Sequence, residues 1–200
     1  SEVRGGTLRC LTYHDIPPDA ARNFREHVRL LSDHFRIVTL AEFEGLREQS
    51  FHASEPTLLL TFDDGFRHTT EIALEVLTPR GLSGVFFVPS GYIDCRSIEE
   101  SDRYLSERFF SVRRPRAQLT PHLSPASWDQ LRSLVSCGHA IGAHSVNHVR
   151  ANEAEDLRHE VITSAEILES RLGVSVRAFA YPFGTPDAVN ADAFALARSK

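Results

Sequence analysis

Apolar residues in this chain fall into short continuous runs separated by amphipathic stretches, and that alternation predicts the fold. Runs of strand length lie at Leu8–Tyr13, 37–39, Thr57–Phe62, Val85–Val88, Ala140–Ala143 and 176–181. Between them, Phe24, Val28 and Leu31 share one helical face, and Thr39 with Glu42 has the capping-box spacing that opens a short helix. A helix after Thr70 would bury Ile72, Ala73, Val76 and Leu77 and stop near Pro79 and Gly81. Ser127 and Gln130 open another, with Trp128, Leu131 and Val135 inward and Gly138 just past its end. The clearest pattern opens at Asn152-x-x-Glu155 and continues through Leu157, Val161, Ala165, Leu168 and Leu172 at steps of three and four.

Strands that are apolar throughout, alternating with helices, imply a parallel sheet covered by helices, hence an α/β fold. Two hundred residues suffice for one domain with a sizeable core, so residues 1–200 read as a single domain. The rhythm breaks across 91–125, a stretch rich in proline and charge that includes Arg113, Arg114 and Arg116. It reads as an insertion over one end of the sheet.

Composition narrows the function classes. Net charge is −5, so there is no basic footprint for a nucleic acid partner. No apolar run approaches the ~20 residues that cross a bilayer, and the start does not read as a signal peptide. The chain lacks methionine even at position 1, which points to a mature chain or an excerpt. Cys10, Cys95 and Cys137 lack CxxC spacing, so neither a disulfide framework nor a thiolate zinc site is indicated. Cys10, inside an apolar strand, is expected to be a small buried hydrophobe. Nothing in the pattern indicates an oligomeric state.

The unusual polar residues follow the strands. Tyr13–His14–Asp15 comes after the first run, Asp63–Asp64 after the third, His144–Ser145 after 140–143, and Pro182–Phe183–Gly184 after the last. In parallel α/β sheets those ends converge on one face, where sites are built. His144 and His148, four residues apart, can chelate one divalent ion. Two imidazoles and one carboxylate leave coordination positions open, which describes a catalytic metal site. One aspartate of the pair would bind the ion and the other would act as a base. Ser145 has no base placed to activate it. Among the other histidines, His27, His34, His52 and His159 lie in polar contexts and read as solvated. His68 is near enough to rim the site, and His139 is expected to satisfy backbone groups.

Three segments, TFDDG (61–65), GHAIGAHSVNH (138–148) and FAYPFG (179–184), resemble the first three motifs of the polysaccharide deacetylases. These are the NodB-homology proteins, carbohydrate esterase family 4. The resemblance implies a distorted (β/α) barrel and a metal-dependent hydrolysis that removes N-acetyl groups from a polysaccharide or oligosaccharide containing N-acetylglucosamine. It implies Asp63 as general base and Asp64, His144 and His148 as ligands of one divalent ion, with zinc favoured over cobalt, nickel, iron or manganese. The backbone N–H of Phe183, where the family usually has tyrosine, would form the oxyanion hole, with Tyr181 and Pro182 beside it at the substrate. An extracytoplasmic location, periplasmic, cell-surface or secreted, follows from where such polymers lie.

The chain departs from the family pattern in three ways. Ala180 stands where an arginine often orients the base, and Arg177 lies on the opposite face of an extended strand. The fourth and fifth motifs, which carry the usual acid histidine, are absent. LTYHD (11–15) is similar to the opening of circularly permuted members, including deacetylases of biofilm poly-N-acetylglucosamine. That likeness implies His14 as general acid with Asp15 orienting it; the alternative is a barrel truncated at its C-terminus. Two rival readings keep the fold: hydrolysis of a small non-sugar amide, and a non-catalytic carbohydrate-binding relative.

Overall fold

The computed structural model describes residues 7–48, 55–110 and 121–199. His52, Arg113, Arg114 and Arg116 lie outside the described residues. In chain order the elements are β1 (Leu8–Tyr13), α1 (Ala21–His34), β2 (Arg36–Ile37), α2 (Leu40–Glu48), β3 (Thr57–Phe62), α3 (Arg67–Leu77) and β4 (Val85–Val88). They continue with α4 (Ser90–Ile93), α5 (Ile98–Tyr104), α6 (Trp128–Ser136), β5 (Ala140–Ala143), α7 (Ser164–Leu172) and α8 (Ala191–Ser199). No helix among the described residues is long and apolar enough to cross a membrane.

Every ladder is parallel, and the strands run β1-β3-β4-β5. β1 pairs with the whole of β3, from Leu8 opposite Thr57 to Tyr13 opposite Phe62. The other edge of β3 is shared: β2 takes Thr57 and Leu58, and β4 takes Thr61 and Phe62. All C-terminal strand ends therefore meet on one face, as the α/β reading requires.

Burial explains the composition of the strands. β3 is buried along its whole length. Leu58, Leu60 and Phe62 join the main core with Phe24 and Val28 of α1, Ile72 and Val76 of α3, and Leu131 and Leu134 of α6. Leu59 faces the other way and packs with Val85, Phe87 and residues Leu40 and Phe43 of α2. Phe62 stacks on Phe86 at 4.7 Å between ring centroids. Each such ring withdraws 150–250 Å² from water, roughly 25 cal/mol per Å².

Several expectations shift. Cys10 is exposed, not buried. Leu11 and Tyr13 of β1 pack on the main core, so alternation turns Cys10 and Thr12 to the opposite face, which is uncovered at this end strand. The run at 37–39 pairs only through Arg36–Ile37. The run at 176–181 reduces to one bridge, Phe179 with Ala143, in which Ala143 and Ala180 exchange N–H···O bonds of 2.9 Å with Ala178 and Ala143. β5 turns away immediately afterwards, at left-handed Ser145 (φ 62°), leaving that segment little strand to pair with.

The capping boxes at Thr39/Glu42 and Ser127/Gln130 both form. α3 starts at Arg67, ahead of the expected Thr70. The longest helical pattern starts later than expected. Asn152 sits in a turn with its N–H on the Ala188 carbonyl, and Asp156 is the cap, its Oδ1 accepting the His159 N–H at 2.9 Å. A π-helical turn at His159–Thr163 then leads into α7.

Candidate metal and catalytic site

The site begins where β3 stops. Asp64 and Gly65 both take left-handed conformations (φ 75° and 70°), which throws the chain off the strand and into α3. A Cβ at Gly65 would meet Val88 Cγ1 at 3.0 Å, so both the conformation and the close approach favour glycine. The non-glycine residues with positive φ among the described residues are Asp64, Ser145, His148 and Phe183. Each costs about 1–2 kcal/mol relative to a right-handed conformation, and all four belong to the motifs that meet here.

His144 follows β5, and His148 closes the loop after it. Both imidazoles are buried, as is Asp64. His144 donates from Nδ1 to the Ala180 carbonyl at 2.9 Å, and His148 from Nδ1 to the Arg108 carbonyl at 3.3 Å. Those bonds place the protons on Nδ1 and leave both Nε2 lone pairs facing inward. Asp64 Oδ1 lies 3.5 Å from His144 Nε2 and 3.3 Å from His148 Nε2, and it has no hydrogen-bond partner among the described residues.

Three electron-pair donors facing one another in a buried space need a cation. The donor atoms lie within 4.8 Å of one another. Atoms bound about 2.0–2.1 Å from a tetrahedral ion sit about 3.3 Å apart, close to the spacing seen here. The residues therefore fit a divalent metal ion. The electrostatics agree. Burial pushes the Asp64 carboxyl up, but contact with His144 and His148 outweighs it and holds the carboxyl well below the usual range. Burial pushes the His144 imidazole down, yet Asp64 more than reverses this: the buried carboxylate draws positive charge to Nε2, as a proton that a bound metal ion would displace.

Asp63 stands beside this cluster in another state. Burial drives its carboxyl above the usual range; positive charge on His144 and His14 opposes this, and the Asp64 carboxylate adds to it. A carboxyl kept from its most acidic form, next to a metal site, is suited to taking up a proton.

His14 Nε2 lies 3.8 Å from Asp63 Oδ2. This follows from register: Tyr13 is opposite Phe62, so the next residue on each strand stands beside the other, and the Asp63 N–H donates to the Tyr13 carbonyl at 2.9 Å. The turn carrying His14 is held by α3. Thr69 Oγ1 accepts the Ile16 N–H at 3.0 Å and donates to the His14 carbonyl at 3.1 Å. His68 donates from Nδ1 to the Ile16 carbonyl, so it anchors this turn and does not line the cleft.

Asp15 does not orient His14. Its Oδ2 pairs with His122 Nε2 at 3.2 Å, because successive residues leaving a strand point to opposite sides. Arg177 does not replace the missing arginine either: it pairs with Glu44 at 2.9 Å. His139 accepts the Gly84 N–H on Nδ1 at 3.1 Å, the backbone role expected of it. His27, expected to be solvated, shares a 2.8 Å hydrogen bond with the Tyr13 hydroxyl.

A cleft of about 570 Å³ gathers Asp63, Asp64, His144, His148, His14 and Asp15. Tyr181, Phe183, Phe66, Phe109, Phe110 and Leu123 line it too. Pro182 is buried and does not line the cleft. Arg150 covers the Phe183 ring at 4.5 Å.

Sequence reading missed Glu160. This buried carboxylate accepts the Val146 and Asn147 N–H groups at 2.9 Å each and the Asn147 side-chain amide at 2.7 Å. It thereby fixes the loop between the two histidines. From the opposite side α4 receives the same loop, with the Ser90 and Gly91 N–H groups on the Ser145 and Val146 carbonyls. A Cβ at Gly91 would lie 2.7 Å from the Val146 oxygen, which requires glycine there. The signal for Glu160 was available: a carboxylate on the apolar helix face between Leu157 and Ala165.

Comparison with known proteins places this geometry. Solved structures share the fold. IcaB from Ammonifex degensii superposes with a TM-score of 0.71 at 23% identity, covering 96% of this chain and 79% of that one. The Streptococcus pyogenes deacetylase PplD, solved in complex with acetate, gives 0.71 at 18% identity over the same shares. The BpsB deacetylase domain from Bordetella bronchiseptica gives 0.68 at 20%, covering 96% of this chain and 84% of that one. No curated protein sequence matches the chain. The family profile described as polysaccharide deacetylase matches residues 52–199, and the chain belongs to that family.

Proposed function

We propose that this protein is a metal-dependent deacetylase that removes N-acetyl groups from a polymer or oligomer containing N-acetylglucosamine. The observation that carries the reading is the convergence of two inward-facing imidazole Nε2 atoms on one orphaned carboxylate oxygen, with Asp63 and His14 beside them. Asp64, His144 and His148 would hold the ion, zinc being the best match to the donor set, with cobalt, nickel, iron and manganese compatible. When bound, it supplies a Lewis acid for the acyl carbonyl and lowers the pKa of water.

The chain's own groups account for the remaining steps. Asp63 accepts the proton from water as its oxygen bonds to the carbonyl carbon. The backbone N–H of left-handed Phe183 donates to the oxyanion that develops. His14 delivers a proton to the amine nitrogen as the carbon–nitrogen bond breaks, so water and amide become acetate and free amine. The cleft is lined by the aromatic rings of Phe109, Phe110 and Phe183 together with carboxylates, a lining matched to a sugar ring with apolar faces and polar edges. The site of action is outside the cytoplasm, where such polymers lie.

The test is acetate release from β-1,6-linked and β-1,4-linked N-acetylglucosamine oligomers and from peptidoglycan fragments, with Zn²⁺ or Co²⁺ added. Release from one of them that a chelator abolishes is expected. Asp63→Asn should lower turnover about 10²–10⁴-fold while retaining the ion. Metal binding without acetate release from any of these substrates would refute the reading and favour a small amide or a binding role.

A further inference from the structure

We propose that the π-helical turn at Leu105–Phe109 is part of the metal centre, with Phe109 acting as a positioning residue for His148. The inference rests on reading Asp64, His144 and His148 as metal ligands. His148 is held less securely by its own backbone than His144, which follows a strand directly; it closes a loop and is itself left-handed (φ 51°). Rotation of an imidazole about its last side-chain bond is broad unless neighbours fix it.

Two contacts from one turn fix it here. The Arg108 carbonyl accepts from His148 Nδ1, which sets the tautomer. The next residue, Phe109, lays its ring face to face on the imidazole, 4.0 Å between centroids and 5° between planes. The two contacts constrain different motions: the carbonyl acts in the ring plane and the phenyl face acts across it.

The π-turn makes this possible. It widens the last turn after α5, the Phe110 N–H reaching back five residues to the Leu105 carbonyl at 3.1 Å, and within that turn the Arg108 carbonyl and the Phe109 ring meet the same partner. Phe109 is held in turn by Phe66, Tyr92 and Tyr104, with ring centroids 5.7, 5.3 and 5.9 Å away. Phe66 lies one residue past Gly65, and the Tyr104 hydroxyl donates to the Val146 carbonyl at 2.7 Å. The aromatic cluster therefore joins the aspartate turn to the histidine loop. An imidazole polarised by a cation gains further attraction to the phenyl face.

Metal binding tests this independently of turnover. Co²⁺ affinity, by chelator competition, and the visible spectrum of the Co²⁺ protein are measured for wild type, Phe109→Leu, Phe109→Tyr and Ile98→Ala. Ile98 is an exposed residue of the same segment. Phe109→Leu, which keeps an apolar filler but no ring, should weaken binding about tenfold or more and shift the spectrum. Phe109→Tyr, which keeps the ring, and Ile98→Ala should behave as wild type. Wild-type affinity and spectrum in Phe109→Leu would overturn the proposal, as would equal losses in Phe109→Tyr or Ile98→Ala. Failure of wild type itself to bind Co²⁺ would instead overturn the metal-site reading beneath it.

Discussion

At the scale of single residues, chemistry depends on neighbours of opposite character. Asp64 is held ionised by two imidazoles, whereas adjacent Asp63 is pushed toward its neutral form and has His14 Nε2 3.8 Å from its Oδ2. In the proposed mechanism the two carboxylates at one strand end avoid competing, because one would serve the cation and the other the proton. His14 is more than half exposed, so its contact with Asp63 adds little stability. Its value is position. His14→Ala should keep full Co²⁺ affinity and lose about 10²–10³ in turnover, checked by acetate release beside a metal titration. Unchanged turnover would assign the acid role elsewhere.

At the scale of elements, the loop from His144 to His148 is built by what surrounds it. Glu160 satisfies two of its amides from a π-turn, and α4 satisfies two of its carbonyls. Glu160→Ala leaves those amides without a partner, an expected loss of about 2–5 kcal/mol, measurable by urea denaturation. Glu160→Gln should lose less stability and still weaken Co²⁺ binding about tenfold. A second prediction concerns His139 at the start of β5. Burial holds its imidazole below the ordinary value of 6.5. As pH falls past that value the unfolded chain takes up a proton that the folded chain resists, so stability is full above it and declines below it. Urea denaturation at pH 7.5 and 5.5 should show a smaller acid loss in His139→Gln than in wild type.

At the scale of the whole molecule, the parallel sheet gathers residues 14, 63, 144, 148 and 183 onto one face, and the ion would join what the chain keeps apart. Ligand binding to the folded state alone stabilises by about 2.7 kcal/mol at a hundredfold excess over Kd. For a chain of this length that corresponds to a rise in Tm of about 5–10 °C. Thermal scans should show this with Zn²⁺ or Co²⁺, reversed by chelator and absent in His144→Ala. Cleft shape is also a property of the whole, since Phe109, Phe110 and Leu123 come from residues distant in sequence from every motif.

The sequence by itself determined the parallel α/β class, the strand ends as the place of the site, and His144 and His148 with one carboxylate of the Asp63–Asp64 pair as candidate ligands; the choice of Asp64 came from the resemblance of its motif to the family. Apolar strands, capping boxes and strand-end carboxylates are local patterns, and local physics suffices to read them. Asn152 misled as a cap because a distant carbonyl, that of Ala188, holds it in a turn. Cys10 misled because only the assembled sheet shows which face of β1 is covered. Tertiary structure alone decided that Asp15 meets His122 and that Glu160 holds the histidine loop. It alone decided that Phe109 stacks on His148. Each of these contacts joins residues far apart in the chain, and no periodicity along a sequence records which side chains the fold will bring within reach.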